Sequence, residues 1–253
     1  MYRKILQPFY TIYVALSFII SIVTVLPFIA LISTSGKPAA RHAIHSIIKG
    51  WSYTWLWLIG MRVTNDGDPM PEGRYIIVAN HISYMDTLVI FPAVNSYFRP
   101  LGKKEIVKIP FIGFIYKQIV ILVDRSSAQS RAKSMKLMWR VLKHEGNIII
   151  FPEGTFNETP APLKDFYDGA FRLALTTGTD ILPLILPDTS ARWHFSGWWK
   201  LWPGRNRIKF LEPVSVAGMT VAEMPALKKL VYDKMEAELI RFAGEDENQA
   251  EEE

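Results

Sequence analysis

The chain has 253 residues, with 29 Lys and Arg against 24 Asp and Glu, for a formal net charge of +5. It contains no cysteine, which excludes a disulfide framework, a thiolate zinc site and a covalent acyl-cysteine intermediate. The hydrophobic share is 49%, with 8 Trp, 10 Tyr and 14 Phe, an aromatic load that suits a protein with one face in a bilayer interface.

No charged residue occurs from Ile5 to Gly36. The apolar portion Pro8 to Ser33 is long enough to cross a bilayer as one helix of ~20 residues. Pro27 lies inside it and is expected to kink or break a helix there. Two readings stay open: a single span, or two shorter helices that dip into one leaflet and return. The run is too long for a cleaved signal peptide, and no clear cleavage site comes after it. The basic flank Lys37, Arg41, Lys49 and Arg62 predicts a body on the cytoplasmic side. Trp51, Tyr53, Trp55 and Trp57 then read as an interfacial belt or as an aromatic core helix. Asn65-Asp66-Gly67-Asp68-Pro69 and Pro71-Glu72-Gly73 are turn signals that separate this element from the body of the chain.

Beyond them the chain alternates. Strand-like apolar runs occur at 75–79, 120–123, 148–151, 181–186 and 208–211. Between them, 128–144 sets Met135, Leu137, Met138, Val141 and Leu142 against Arg131, Lys133, Lys136 and Arg140, the pattern of an amphipathic helix. A closing helix is predicted from Met224 to Phe242, with Pro225 suited to its first turn. This alternation predicts an α/β fold: a largely parallel central sheet flanked by helices, with an N-terminal helical membrane anchor. The expected division is a membrane-associated segment 1–60, an α/β domain 61–243 and a disordered acidic tail 244–253. The tail holds six acids and no Lys or Arg, so the rest of the chain is more basic than the average implies. A basic body predicts anionic partners, and an anionic membrane surface is the expected one.

The stretch Asn80-His81-Ile82-Ser83-Tyr84-Met85-Asp86 comes directly after the apolar run 75–79. A histidine whose tautomer is set by a carboxylate can turn a hydroxyl into a nucleophile near neutral pH. In a continuous helix, positions five apart diverge by about 140° around the axis. The two side chains therefore meet only if His81 sits in a turn and Asp86 in the first turn of the next helix. Ser83 is expected to make a local hydrogen bond in that turn rather than to act as a nucleophile.

Three further stations stand at or near the ends of apolar runs. They are Lys104-Glu105 with Ile109-Pro110-Phe111-Ile112-Gly113 and Val123-Asp124-Arg125, then Phe151-Pro152-Glu153-Gly154-Thr155, then Ile181-Leu182-Pro183-Leu184. Open α/β sheets place their chemistry at such strand ends. With the four stations in this order, the chain resembles the glycerolipid acyltransferase family, the 1-acylglycerol-3-phosphate O-acyltransferases, from about Gly73 to Leu186. It departs from the family pattern at Phe156, where many members carry Arg, at Gln118, and around Phe166-Tyr167, where a lysine is common.

The resemblance implies transfer of an acyl group from acyl-CoA or acyl-ACP to the hydroxyl of lysophosphatidate, with no cofactor and no metal. His81 is then the general base and Asp86 its orienter. Arg125 is implied to bind the acceptor's phosphate, with a salt bridge to Asp124 as the structural alternative. Lys104 is implied as a phosphate or coenzyme contact, or else a solvated surface lysine. Glu153, Gly154 and Thr155 are expected at the substrate, with Glu153 taking a hydroxyl or holding a basic residue. Backbone N–H groups near the helix start after His81 are expected to stabilise the oxyanion, with no one group singled out. A thiolate leaves readily, so direct attack by the alcohol fits a chain with neither Cys nor a Gly-x-Ser-x-Gly elbow. The rival readings are a different lysolipid acceptor, such as another lysophospholipid or an acyl-amino-acid lipid, and a membrane lipid-binding protein without turnover. The aromatic and basic stretch 193–207 reads as a membrane-facing loop rather than a nucleic-acid surface, so no nucleic-acid partner is expected. His42, His45, His144 and His194 have no partner pattern, and no His/Asp/Glu cluster has metal-ligand spacing.

Overall fold

The computed structural model describes residues 2–123 and 128–252. Two helices come first, α1 (Tyr2–Ser33) and α2 (Pro38–Leu58). The body then runs β1 (Met61–Asn65), β2 (Ile76–Ala79), α3 (Asp86–Ala93), β3 (Phe98–Lys103), a 3₁₀ turn (Lys104–Lys108), α4 (Ile112–Ile119) and β4 (Ile121–Val123). It continues with α5 (Ala128–His144), β5 (Asn147–Ile150), α6 (Gly169–Thr177), β6 (Ile181–Ile185), α7 (Thr189–Arg192), β7 (Gly204–Phe210) and α8 (Met224–Glu252).

Among the described residues the strands form one sheet in the order β1-β7-β6-β2-β5-β3-β4. β2, β3, β4, β5 and β6 are mutually parallel, and β7 returns antiparallel to β6 with β1 beside it. The central strands Ile76–Ala79, Asn147–Ile150 and Ile181–Ile185 are buried at every position. That is why they read as unbroken apolar runs: a parallel sheet is covered on both faces. Alternate residues divide between two cores. Ile77, Ala79, Ile149, Leu182 and Leu184 face α1 to α4, whereas Ile76, Val78, Ile148, Ile150, Ile181 and Ile185 face α5, α6 and α8.

α1 lies antiparallel along α2. Val14, Ile22 and Ile29 form its buried stripe, the Tyr10 hydroxyl donates to Ile59 O at 2.6 Å, and Trp55 Nε1 donates to the Ser17 hydroxyl at 3.2 Å. α2 in turn sits on α3, with the Ser52 hydroxyl donating to Leu88 O at 2.8 Å. The outward face of α1 exposes Ile12, Leu16, Ile19, Ile20 and Val23. Residues Arg3–Ser33 are long and apolar enough to cross a membrane, with a mean hydropathy of 2.6.

Three sequence expectations change here, for α1, for α2 and for the acidic end. α1 continues through Pro8 and Pro27 instead of breaking. α2 divides its aromatics, burying Trp55 at 2% exposure and leaving Tyr53 and Trp57 outside, so neither the belt nor the core helix describes it alone. Two of the four flanking cations are engaged by the body: Lys49 donates to Val94 O and Arg41 pairs with Glu145. The acidic end is helical to Glu252, where composition predicts disorder, because its first turns are tied back by Arg207 to Asp246 and by Arg241 to Glu245.

The turn after β3 is held by a sharp local constraint. Phe111 has φ 61, and Ile112 N–H reaches Pro110 O at 2.6 Å, a strained three-residue turn. It drives α4 back onto the 3₁₀ turn so closely that a Cβ on Gly113 would lie 2.0 Å from Val107 O. Gly113→Ala is therefore expected to cost about 1–3 kcal/mol by overpacking. A fall in the denaturant midpoint in detergent checks this, and an unchanged midpoint refutes it.

Candidate active site

The five parallel strands end on one edge, and the stations lie there. β2 leads to Asn80 and His81, β3 to Lys104, β5 to Glu153, and β6 to Asp188 and Thr189. Asn80 is fully buried and ties two of these loops together. Its amide donates to Leu186 O at 2.9 Å and accepts from Leu186 N–H at 2.8 Å.

His81 sits in the turn and Asp86 opens α3, the arrangement the spacing requires. His81 Nδ1 lies 2.8 Å from Asp86 Oδ2. The same oxygen accepts the backbone N–H groups of Ile82 at 2.8 Å and Ser83 at 2.9 Å, and Oδ1 accepts the Thr189 hydroxyl. Asp86 is completely buried, so these donors replace the water its charge has lost. With Nδ1–H committed to the carboxylate, Nε2 carries the lone pair. Among the described residues no group takes up Nε2.

Rings fix the imidazole from two sides. Phe151 stacks on it at 4.2 Å between centroids, and Phe156 meets it edge-on at 4.4 Å. Tyr84 extends this wall, against Phe156 at 4.7 Å and Trp193 at 5.0 Å. Ser83 is buried and its hydroxyl donates to Trp193 O at 2.6 Å while accepting from Met85 N–H. It is a turn residue, as expected.

Glu153 is also fully buried. Oε1 accepts the His81 N–H at 2.8 Å and Oε2 accepts the Lys164 N–H at 2.9 Å. Burial pushes its carboxyl up to about 7, a rise these two N–H groups offset only in part. Each oxygen takes one backbone N–H, so Glu153 braces the loop of His81 against the loop of Lys164. Gly154 adopts φ 73, the left-handed turn that lets the chain double back at this point. Thr155 is exposed and its hydroxyl accepts from Lys164 Nζ at 3.1 Å.

Three N–H groups of this turn are committed to carboxylates. The N–H groups of His81, Ile82 and Ser83 point at Glu153 and Asp86, because two buried carboxylates at the start of α3 draw them inward. Lys104 is exposed at the same sheet edge, on the first residue of the 3₁₀ turn. Arg125 and Asp124 lie outside the described residues. Thr189 and Lys164 join this edge only in the fold. Thr189 stands three positions past Leu186, at the end of a parallel strand, and that position was its available signal. His45 packs among Phe91, Tyr97 and Phe98, away from this edge. Among the described residues no group of three or more His, Cys, Asp or Glu has a metal-holding arrangement.

The chain is similar to several known proteins. The family model described as Acyltransferase matches residues 61–186. A 1-acyl-sn-glycerol-3-phosphate acyltransferase of Limnanthes alba is 29% identical over 185 residues, 70% of this chain and 63% of that protein. Its namesake in Borreliella burgdorferi is 35% identical over 53% of this chain and 55% of its own length. The one in Haemophilus influenzae is 28% identical over 75% and 79%. The chain thus spans less than two thirds of the first two relatives. The crystal structure of the 1-acyl-sn-glycerophosphate (LPA) acyltransferase PlsC of Thermotoga maritima superposes with a TM-score of 0.78 at 25% identity, covering 95% of this chain and 98% of that one. Fold, ordered stations and relatives converge: the chain belongs to the acyltransferase family that includes the 1-acyl-sn-glycerol-3-phosphate acyltransferases.

Proposed function

We propose that this protein transfers an acyl group from acyl-CoA or acyl-ACP to the free hydroxyl of 1-acyl-glycerol-3-phosphate, giving phosphatidic acid. The observation that carries the proposal is the 2.8 Å contact of His81 Nδ1 with Asp86, which leaves Nε2 uncommitted at the sheet edge. Nε2 takes the hydroxyl proton as the alcohol oxygen bonds to the thioester carbonyl carbon. Asp86 steadies the imidazolium. The tetrahedral intermediate collapses by breaking the carbon–sulfur bond, and the imidazolium returns its proton to the departing thiolate. No acyl-enzyme is needed, which accords with the absence of cysteine and the buried, committed Ser83 hydroxyl.

Phe156 favours a second reading in which the chemistry is kept and the acceptor differs. An aromatic edge on His81 supplies no charge for a phosphomonoester, so another lysophospholipid or an acyl-amino-acid lipid is the alternative acceptor. A lipid-binding protein without turnover is weighed against by the complete Asp86 network, which a mere carrier has no need to hold.

The same reading places the protein on a membrane, with its active site on the cytoplasmic side. α2 is docked along its length on the body and α1 on α2, so α1 stands on one flank of the protein and does not project from it. Its outward apolar face then lies in one leaflet, parallel to the surface. The loop 193–203 joins this flank, because the Thr11 hydroxyl donates to Trp199 O at 3.0 Å and Trp198 and Trp199 are exposed beside it.

Three outcomes test this account. With labelled acyl donor and lysophosphatidate in detergent, His81→Ala and Asp86→Asn each lower kcat by about 10²–10⁴-fold. Asp86→Asn also replaces one of two buried acceptor oxygens by an NH2 group that faces other donors, so it lowers the unfolding midpoint, by about 1–3 kcal/mol of stability. Wild type and both variants equally inert across several lysolipids would defeat the enzyme reading. The second outcome concerns Glu153. Because its folded-state value is raised, its stabilising contribution is complete below 4.5 and declines as pH climbs through about 7. Unfolding midpoints of wild type should therefore fall relative to Glu153→Gln between these values, and parallel curves would contradict the assignment. The third is flotation with anionic vesicles. Ile12→Asp combined with Ile19→Asp should release the protein from lipid while changing stability by no more than about 0.5 kcal/mol; undiminished flotation would refute in-plane insertion.

A further inference from the structure

Lys164 lies in the connection between β5 and α6 and is anchored at two points. Its backbone N–H rests on Glu153 Oε2 at 2.9 Å, and its ammonium donates to the Thr155 hydroxyl at 3.1 Å. The other oxygen of the same carboxylate holds the His81 N–H at 2.8 Å. One buried group therefore sets the distance between the imidazole and Lys164. Among the described residues no other cation shares a brace with His81.

The charge on Lys164 is unspent. The side chain is exposed, and among the described residues no carboxylate pairs with it; nearby Asp168 is taken by Lys228 at 2.6 Å. Its one partner, Thr155, is neutral, and an ammonium has three donors. The side chains beside His81 are aromatic: Phe151 and Phe156 pack on its ring, and Tyr84 packs on Phe156. A compact positive charge with no acid partner, braced to the same carboxylate as His81, is a point of attachment for an anion.

We propose that Lys164 binds the phosphate ester of the acceptor and is a specificity-determining residue of the site; this rests on the acyl-transfer reading above. The acceptor and not the donor is the source of that phosphate for a covalent reason. In 1-acyl-glycerol-3-phosphate the phosphate is carried on the carbon next to the one bearing the reacting hydroxyl, so a hydroxyl at His81 Nε2 brings its phosphate close. The phosphates of a coenzyme A or carrier-protein donor are separated from the thioester by the long pantetheine arm and cannot reach the same place. Lys164 exchanges or shares its Thr155 contact with a phosphate oxygen when the acceptor enters.

The test compares wild type, Lys164→Gln and Lys164→Arg in detergent micelles by two measurements. Equilibrium binding is followed by tryptophan fluorescence with lysophosphatidate and with uncharged monoacylglycerol, and steady-state kinetics give KM for each substrate. Lys164→Gln is expected to raise Kd and KM for lysophosphatidate at least about tenfold, the worth of one charged hydrogen bond. Monoacylglycerol binding and donor KM should stay within about twofold, and Lys164→Arg should restore most of the loss. The proposal is overturned if Lys164→Gln leaves lysophosphatidate binding unchanged, weakens both lysolipids alike, or raises donor KM alone. It is overturned equally if wild type binds lysophosphatidate no better than monoacylglycerol. The binding arm needs no turnover, so Lys164-dependent binding without acyl transfer would sink the enzymatic reading and leave this one standing.

Discussion

The carboxylate of Asp86 organises the edge of the sheet on which everything else depends. It accepts from an imidazole, two backbone amides and a hydroxyl, all without contact with water. A buried anion of this kind is tolerable only when several donors surround it. The same donors that make it tolerable also dictate the path of the chain from His81 to Ser83 and the position of the loop after β6. The orientation of the His81 ring and the folded turn are thus one interaction seen from two sides. The N–H groups of His81, Ile82 and Ser83 are thereby spent on structure.

Glu153 repeats the device one strand over, with a difference. It bridges two loops through backbone alone, and burial leaves it near its own titration point at neutral pH. Asp86 governs which imidazole nitrogen is free; Glu153 governs where the imidazole stands. Together they explain how loops 103 residues apart meet on one sheet edge, as the contact of Asp86 with Thr189 illustrates.

Much of this was legible in the chain. The strands at 76–79, 147–150 and 181–185 announced themselves because both faces are covered, and α5 because it has one wet face. β1 and β3 gave no such signal. β3 reads Phe-Arg-Pro-Leu-Gly-Lys, yet Phe98 and Arg99 are buried. The guanidinium of Arg99 is satisfied by the carbonyls of Ile119 and Val120 and lies 3.7 Å from Glu145, partners that only the fold supplies. The His81–Asp86 pair was visible because its two members are close in sequence and the turn between them is short. The roles of Glu153, Thr189 and Lys164 were not, because each depends on which loops the sheet order sets side by side.

The stacking of α1 on α2 and of α2 on α3 changes how the first sixty residues should be regarded. Ile44, Ile48, Leu56 and Ile59 share one apolar cluster with Ile77, Leu182 and Leu184 of the central strands. A fragment trimmed at residue 60 to obtain a water-soluble catalytic piece would lay that cluster bare. The hairpin is a wall of the building, and solubility has to be sought by redesigning the outer face of α1, with the helix kept in place.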